Sequence, residues 1–218
     1  MIPRAATRLR LRKKAGRARP PLPSRRPVAV AITGGIGAGK TEALKAFARH
    51  GAAVVSSDEI VHELLRRDDD VRRALLERFG EGIVGPDGEI DRGRVGDIVF
   101  ARPAELRWLE RLLHPLVVAA YLRWRDELAA LEDPPEICAT EVPLLFEVGG
   151  EKSFDAVVVV TAPPEVRVSR HVRPMQDRER RLIPDEEKAR RADFVFSNEG
   201  SLEDLDAFVA GVVARLSA

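Results

Sequence analysis

The stretch from Val28 to Thr41 constrains this chain more than any other. Val28-Ala29-Val30-Ala31-Ile32 is a short apolar run rich in β-branched side chains, as expected of a strand buried in a parallel sheet. It leads directly into Thr33-Gly34-Gly35-Ile36-Gly37-Ala38-Gly39-Lys40-Thr41, in which residues 34–41 satisfy G-x-x-x-x-G-K-[ST]. Glycines there let successive backbone N–H groups point into one concavity that holds phosphates. A helix that follows at once aims its positive end at them. Lys40 is placed to neutralise the β- and γ-phosphates, and the Thr41 hydroxyl to coordinate Mg²⁺. The helical pattern that follows, from Glu42 to His50, has Leu44, Phe47 and Ala48 on one face and Gly51 as its stop. The ATP-binding candidates are therefore Gly35, Ile36, Gly37, Ala38, Gly39, Lys40, Thr41 and Glu42. The bland alternative is a glycine-rich turn with no chemistry, set between strand and helix by coincidence.

The remaining pattern extends this beginning. Ala52 to Val55 is a second apolar strand, and Ser56-Ser57-Asp58 starts another helix. Residues 59–131 read as helical throughout, with a turn at Pro86-Asp87-Gly88 and Pro103 in a first helical turn. An apolar stripe then runs through Leu106, Leu109, Leu113, Val117, Ala120, Trp124 and Leu128, and Pro115 is expected to kink it. Strands return at Glu136 to Val142 and Ala156 to Thr161, and Pro163-Pro164 opens a helix running to about Arg173. Phe194-Val195-Phe196 makes a last strand. Ser201 caps a final helix whose apolar face is Leu205, Phe208, Val209, Val212 and Leu216. Alternating strands and helices behind such a loop predict an α/β, P-loop NTPase fold: a parallel sheet of about five strands flanked by helices. The expected organisation is a core over 27–58, 132–169 and 192–217, a helical insertion over 59–131, and an arginine-rich lid at about 170–191.

Charge divides the chain. Residues 1–26 hold ten basic groups and no acidic one, so of the 36 basic residues 26 remain against 35 acidic ones, near −9 for the rest. An acidic body repels a phosphate backbone, which argues against a dedicated nucleic-acid binder. The proline-bearing leader lacks apolar periodicity and is expected to be disordered. It reads as a non-functional tail, a transit peptide, an arm for an anionic surface, or an expression remnant. Cys138 is the only cysteine and there are four histidines, which excludes an internal disulfide and disfavours a cysteine- or histidine-rich metal centre. No run approaches the roughly 20 apolar residues of a membrane helix, so a soluble protein is expected.

Several single residues allow two readings. Asp58 follows the second strand, at the sheet edge where ligands bind, and either serves the metal or a reacting hydroxyl or simply caps a helix. The arginines of 170–191 either close over ATP, with Arg170 the best candidate and Arg173, Arg178 and Arg181 next, or form a solvated, mobile surface. His114 reads alone as a satisfied structural histidine, and Cys138 as core.

Taken in order, the 33–41 loop, Asp58, Leu112-Leu113-His114-Pro115-Leu116, Val142-Pro143-Leu144-Leu145-Phe146-Glu147, Ala192-Asp193 and Asn198-Glu199-Gly200 resemble the dephospho-CoA kinase family from about Val28 to Leu216. The loop is common to many families, whereas the His-Pro and Pro-Leu-Leu-Phe-Glu segments are particular. The resemblance implies ATP-dependent phosphorylation of a ribose 3′-hydroxyl of dephospho-CoA, with Mg²⁺; a cytoplasmic protein is expected, and with no coiled-coil pattern in the sequence a monomer is the default. It implies a substrate domain over 59–131, Asp58 activating the hydroxyl, His114 and Pro115 beside the substrate, and Asn198 and Gly200 near the adenine. Three departures stand out: Ser56 where the family usually has a first aspartate, a lid that reads as short, and Leu182 in place of a usual glutamine. A nucleoside or nucleotide kinase of the same architecture is the alternative. A GTPase switch lacks its N-K-x-D segment. A catalytically dead nucleotide- or nucleic-acid-binding module, with the leader as its arm, is the rival from another class.

Overall fold

A computed structural model of the chain describes residues 26–169, 182–199 and 201–218. Its strands are β1 (Val28–Gly34), β2 (Ala53–Ser56), β3 (Ile137–Glu141), β4 (Ala156–Thr161) and β5 (Phe194–Ser197), in the spatial order β2-β3-β1-β4-β5. β1 is central and parallel to both neighbours, with Ile32 opposite Glu141 and Gly34 opposite Val160; β4 and β5 are also parallel. Alternate residues serve two cores. Val30, Ile32, Val158, Val160, Phe194 and Phe196 pack with α1 (Lys40–Arg49) and α8 (Leu202–Leu216). Ala31, Val157 and Val159 pack with Leu145, Phe146 and Ala192. A sheet covered on both faces leaves no polar side to its strands, which is why they read as continuous apolar runs. Parallel pairing also brings the carboxyl ends of β1, β3, β4 and β5 to one edge.

The helices begin as local chemistry dictates. Ser201 Oγ accepts the Asp204 N–H (3.2 Å) while the Asp204 carboxylate accepts the Ser201 N–H (3.2 Å), a reciprocal cap that starts α8. Two short helices, α6 (Pro164–Ser169) and α7 (Asp185–Arg191), complete this part of the chain.

α7 corrects one expectation. The described end of the charged 170–191 stretch is not a solvated surface: Lys188 is fully buried. Its Nζ sits 2.9 Å from Glu147 Oε1, a charge contact that is not an aligned hydrogen bond. That same oxygen accepts the Ile183 N–H (3.0 Å). The Arg191 guanidinium lies 4.4 Å over the Phe146 ring and donates to Glu151. Long aliphatic stems cover apolar surface while the charged heads meet carboxylates. A second correction falls at Arg26, expected to belong to a disordered leader. Both its terminal nitrogens donate to Asp155 at 2.9 Å, and Asp155 also accepts the Ala29 N–H. Residues 1–25 lie outside the described residues.

Residues 56–126 make a separate compact unit. It contains α2 (Ser57–Arg67), α3 (Asp69–Phe79), α4 (Arg92–Ala101) and most of α5 (Pro103–Ala129). The unit is not helical throughout. A 3₁₀ turn at Glu81–Ile83 leads to an antiparallel bridge between Val84 and Ile90. The Pro86-Asp87-Gly88 turn closes that bridge with the Gly88 N–H on Gly85 O. Leu65, Val71, Leu75, Ile83, Ile90, Val95, Val99 and Leu113 form the core. Phe79 meets Trp108 edge-on at 5.4 Å. α5 runs through Pro115 without ending, and its buried positions are Leu113 and Tyr121 rather than the whole expected stripe.

Candidate active site

The phosphate loop begins where β1 ends. Gly34 has φ +144°, and a Cβ there would lie 1.9 Å from the Val160 carbonyl oxygen of β4, so no other residue fits. Gly39, the last loop residue, is left-handed at φ +102° and ψ +24° and hands the chain to α1. Between them the Ala38 N–H donates to Gly35 O (3.3 Å), closing the loop on itself. Lys40 is the first residue of α1, and its Nζ donates to Gly35 O at 3.0 Å. The ammonium is thus folded over the loop.

Two tertiary contacts complete this part of the site. Thr41 Oγ1 donates to Glu141 Oε2 at 3.1 Å. Glu141 ends β3 opposite Ile32 and is 8% exposed. Asn198 follows β5, is buried, and donates its Nδ2 to the Ala38 carbonyl at 2.7 Å. Gly35 to Thr41 and Asn198 are therefore brought together. Asn198 lies against the loop backbone, so its described contact is a brace on the loop. Glu42 stands in the first turn of α1, where its carboxylate pairs with Lys45 at 2.8 Å. Arg170, Arg173, Arg178, Arg181 and Gly200 lie outside the described residues.

Glu141 is not among the residues that the sequence singles out, where only the departure at Ser56 from the family's usual first aspartate stands out. The available signal was an acidic residue closing the apolar run Ile137–Thr140. A hydroxyl and a carboxylate this close suit Mg²⁺, a hard cation that binds one or two carboxylates and completes its shell with phosphates and water. The described residues hold no cluster of three or more acidic, His or Cys ligands, and that mode of binding needs none.

The remaining candidates belong to the 56–126 unit. Ser56, not Asp58, caps α2: Ser56 Oγ accepts the Glu59 N–H (3.0 Å), and Glu59 Oε2 accepts the Ser56 N–H (2.9 Å). The cap reading of Asp58 is thereby overturned. Its carboxylate is exposed and has no hydrogen-bond or ion-pair partner among the described residues. Asp58, Glu59, His62, Glu63 and Arg92 line an open pocket of about 370 Å³. His114 and Pro115 are both exposed on α5, so His114 is not the buried, satisfied histidine that it suggests alone.

Comparison with known proteins agrees with this architecture. The dephospho-CoA kinase family model matches residues 28–204. The dephospho-CoA kinase of Thermosynechococcus vestitus is 39% identical, over 80% of this chain and 87% of its own. That of Streptomyces avermitilis is 39% identical, over 86% and 93%. The solved dephospho-CoA kinase from Campylobacter jejuni superposes with a TM-score of 0.61 at 25% identity, over 86% of this chain and 96% of that one.

Proposed function

This chain belongs to the dephospho-CoA kinase family, and on that premise we propose that it phosphorylates the ribose 3′-hydroxyl of dephospho-CoA with ATP, the last step of coenzyme A biosynthesis. The observation that carries the reading is the loop itself, with Lys40 folded over Gly35 and the Thr41 hydroxyl on Glu141, in a chain matched to that family over 28–204.

In the proposed reaction the substrate hydroxyl oxygen attacks the γ-phosphorus in line. The bond from that phosphorus to the β–γ bridging oxygen breaks, and its electron pair leaves with ADP. The hydroxyl proton passes to Asp58, whose exposed carboxylate has no competing partner among the described residues. Loop N–H groups and Lys40 hold the phosphates, which is where most phosphoryl-transfer catalysis resides. Thr41 and Glu141 would hold Mg²⁺, which when bound neutralises phosphate charge. Asn198 keeps the loop in shape through the Ala38 carbonyl, and Gly200 keeps the adenine-side role that the family resemblance implies. His114, Pro115 and the pocket beside Asp58 belong to the acceptor side, and Arg170 adds positive charge to the transferring group. We read the protein as a cytoplasmic monomer that engages neither nucleic acid nor membrane. No described helix is long and apolar enough to cross a membrane.

The deciding assay couples ADP release to mass analysis of the product, with ATP, Mg²⁺ and dephospho-CoA. Coenzyme A made by the wild type and not by Lys40→Ala is the expected outcome. ADP release without coenzyme A would move the acceptor to another small molecule, and a screen of nucleosides and nucleotides would then identify it.

A further inference from the structure

One contact at the phosphate loop is not used by the mechanism above. A Cβ on Gly35 would lie 2.7 Å from Arg167 Nη1 and 2.8 Å from Asp185 Oδ2. An ion pair therefore presses against the second residue of the loop. Arg167 is on α6, behind β4, and Asp185 is the first residue of α7; Nη1 and Oδ2 are 3.6 Å apart, with side chains 18% and 22% exposed.

Gly35 marks a particular end of the nucleotide. Its carbonyl receives the Lys40 ammonium at 3.0 Å, and the lysine of this motif serves the β- and γ-phosphates. A cation lying against Gly35 is therefore beside the part of the loop where phosphate charge is densest. A guanidinium suits that place, because its planar fork donates two parallel hydrogen bonds to a phosphate. Asp185 suits the other requirement, since a carboxylate beside the guanidinium holds it aimed at the loop before nucleotide arrives. Asn198 and Lys40 already fix the loop backbone that Arg167 faces.

We propose that Arg167 is a phosphate-binding residue for the β/γ end of ATP, with Asp185 as its positioning residue. The assignment rests on the kinase reading above and goes beyond it, because none of the loop, Asp58 or the acceptor pocket requires it. The space a Cβ on Gly35 would fill is occupied by the ion pair.

Calorimetric titration of the full chain with ATP, ADP and AMP in the presence of Mg²⁺ tests this without dephospho-CoA. Lys40→Ala serves as the control for the nucleotide site. Arg167→Ala is expected to weaken ATP about 10- to 100-fold, the range of a lost charged hydrogen bond, and AMP hardly at all. Arg167→Lys should recover part of the loss, since it restores charge without the fork. Asp185→Asn should weaken ATP less, and should add nothing in the Arg167→Ala background, as expected of residues that act as one unit.

Unchanged ATP affinity in Arg167→Ala, with Lys40→Ala impaired, would overturn the proposal and leave the kinase reading standing. So would equal losses for ATP and AMP, or a lowered unfolding midpoint with normal affinity, both of which describe a structural arginine. Full ATP affinity in Lys40→Ala would instead overturn the kinase reading. If Arg167→Ala fails to fold, Arg167→Gln keeps most of the side-chain volume and serves in its place under the same criteria.

Discussion

Gly34 and Asp58 show two opposite demands made on single residues. Gly34 is constrained by backbone: with φ +144° and the Val160 carbonyl 1.9 Å from any Cβ, Gly34→Ala meets main chain that cannot swing aside. It should lose at least about 2 kcal/mol, the order of a strained backbone residue, measurable by urea unfolding. Asp58 is exposed and its carboxylate has no hydrogen-bond or ion-pair partner among the described residues, so the demand on it would come from the proposed chemistry and not from packing. Asp58→Asn should leave the unfolding midpoint and ATP affinity near wild type and cut kcat roughly 10²- to 10⁴-fold, the span of general-base contributions. Turnover equal to wild type in that variant would remove Asp58 from the mechanism. Asp58 was open to nomination from sequence because it comes two residues after β2. Glu141 was not, because its value depends on Thr41, which reaches it only once β3 lies beside β1.

At the scale of elements, α7 shows how charge density misleads. The stretch 170–191 is so rich in arginine that solvent exposure is the natural inference. Yet Lys188 is buried against Glu147, and Arg191 covers Phe146. Periodicity cannot reveal this in a helix of seven residues, where the partner carboxylate sits in another segment. Breaking a buried pair leaves the other charge uncompensated, so Lys188→Met should destabilise by roughly 3–5 kcal/mol. A change below about 1 kcal/mol would mean that Glu147 finds other satisfaction. α8 is the contrasting case. Its cap, Ser201 with Asp204, is a local pattern of four residues, and the sequence shows it as plainly as the structure. Ser201→Ala should cost about 1 kcal/mol, read as a lower thermal midpoint.

For the whole molecule the response to acid follows from carboxylates in both compact units. In the helical unit, the hydrogen bond from Arg78 holds Glu105 below the usual carboxylate range. In the sheet unit, Arg49 and then His50 do the same for Asp206, which ties α1 to α8. Burial pushes Glu151 up, but its own backbone and Arg191 outweigh that and leave it lowered. A carboxylate depressed in the folded state contributes its full stabilisation above its unfolded pKa, near 4, and loses it as pH falls further. The urea midpoint should therefore hold steady from pH 7 to about 5 and fall below about 4. A midpoint that rises on acidification would contradict these pairings. The sequence by itself determined the α/β class, the phosphate loop with Lys40 and Thr41, a strand at each apolar run and the cap of α8. Each is written in neighbouring residues or in a short period. The tertiary structure alone decided that Glu141 meets Thr41, that Asn198 braces Ala38, that Glu147 buries Lys188 and that Arg167 and Asp185 rest on Gly35. The strand order β2-β3-β1-β4-β5 is not the order of the chain, so segments distant in sequence become neighbours only when the parallel sheet closes around β1.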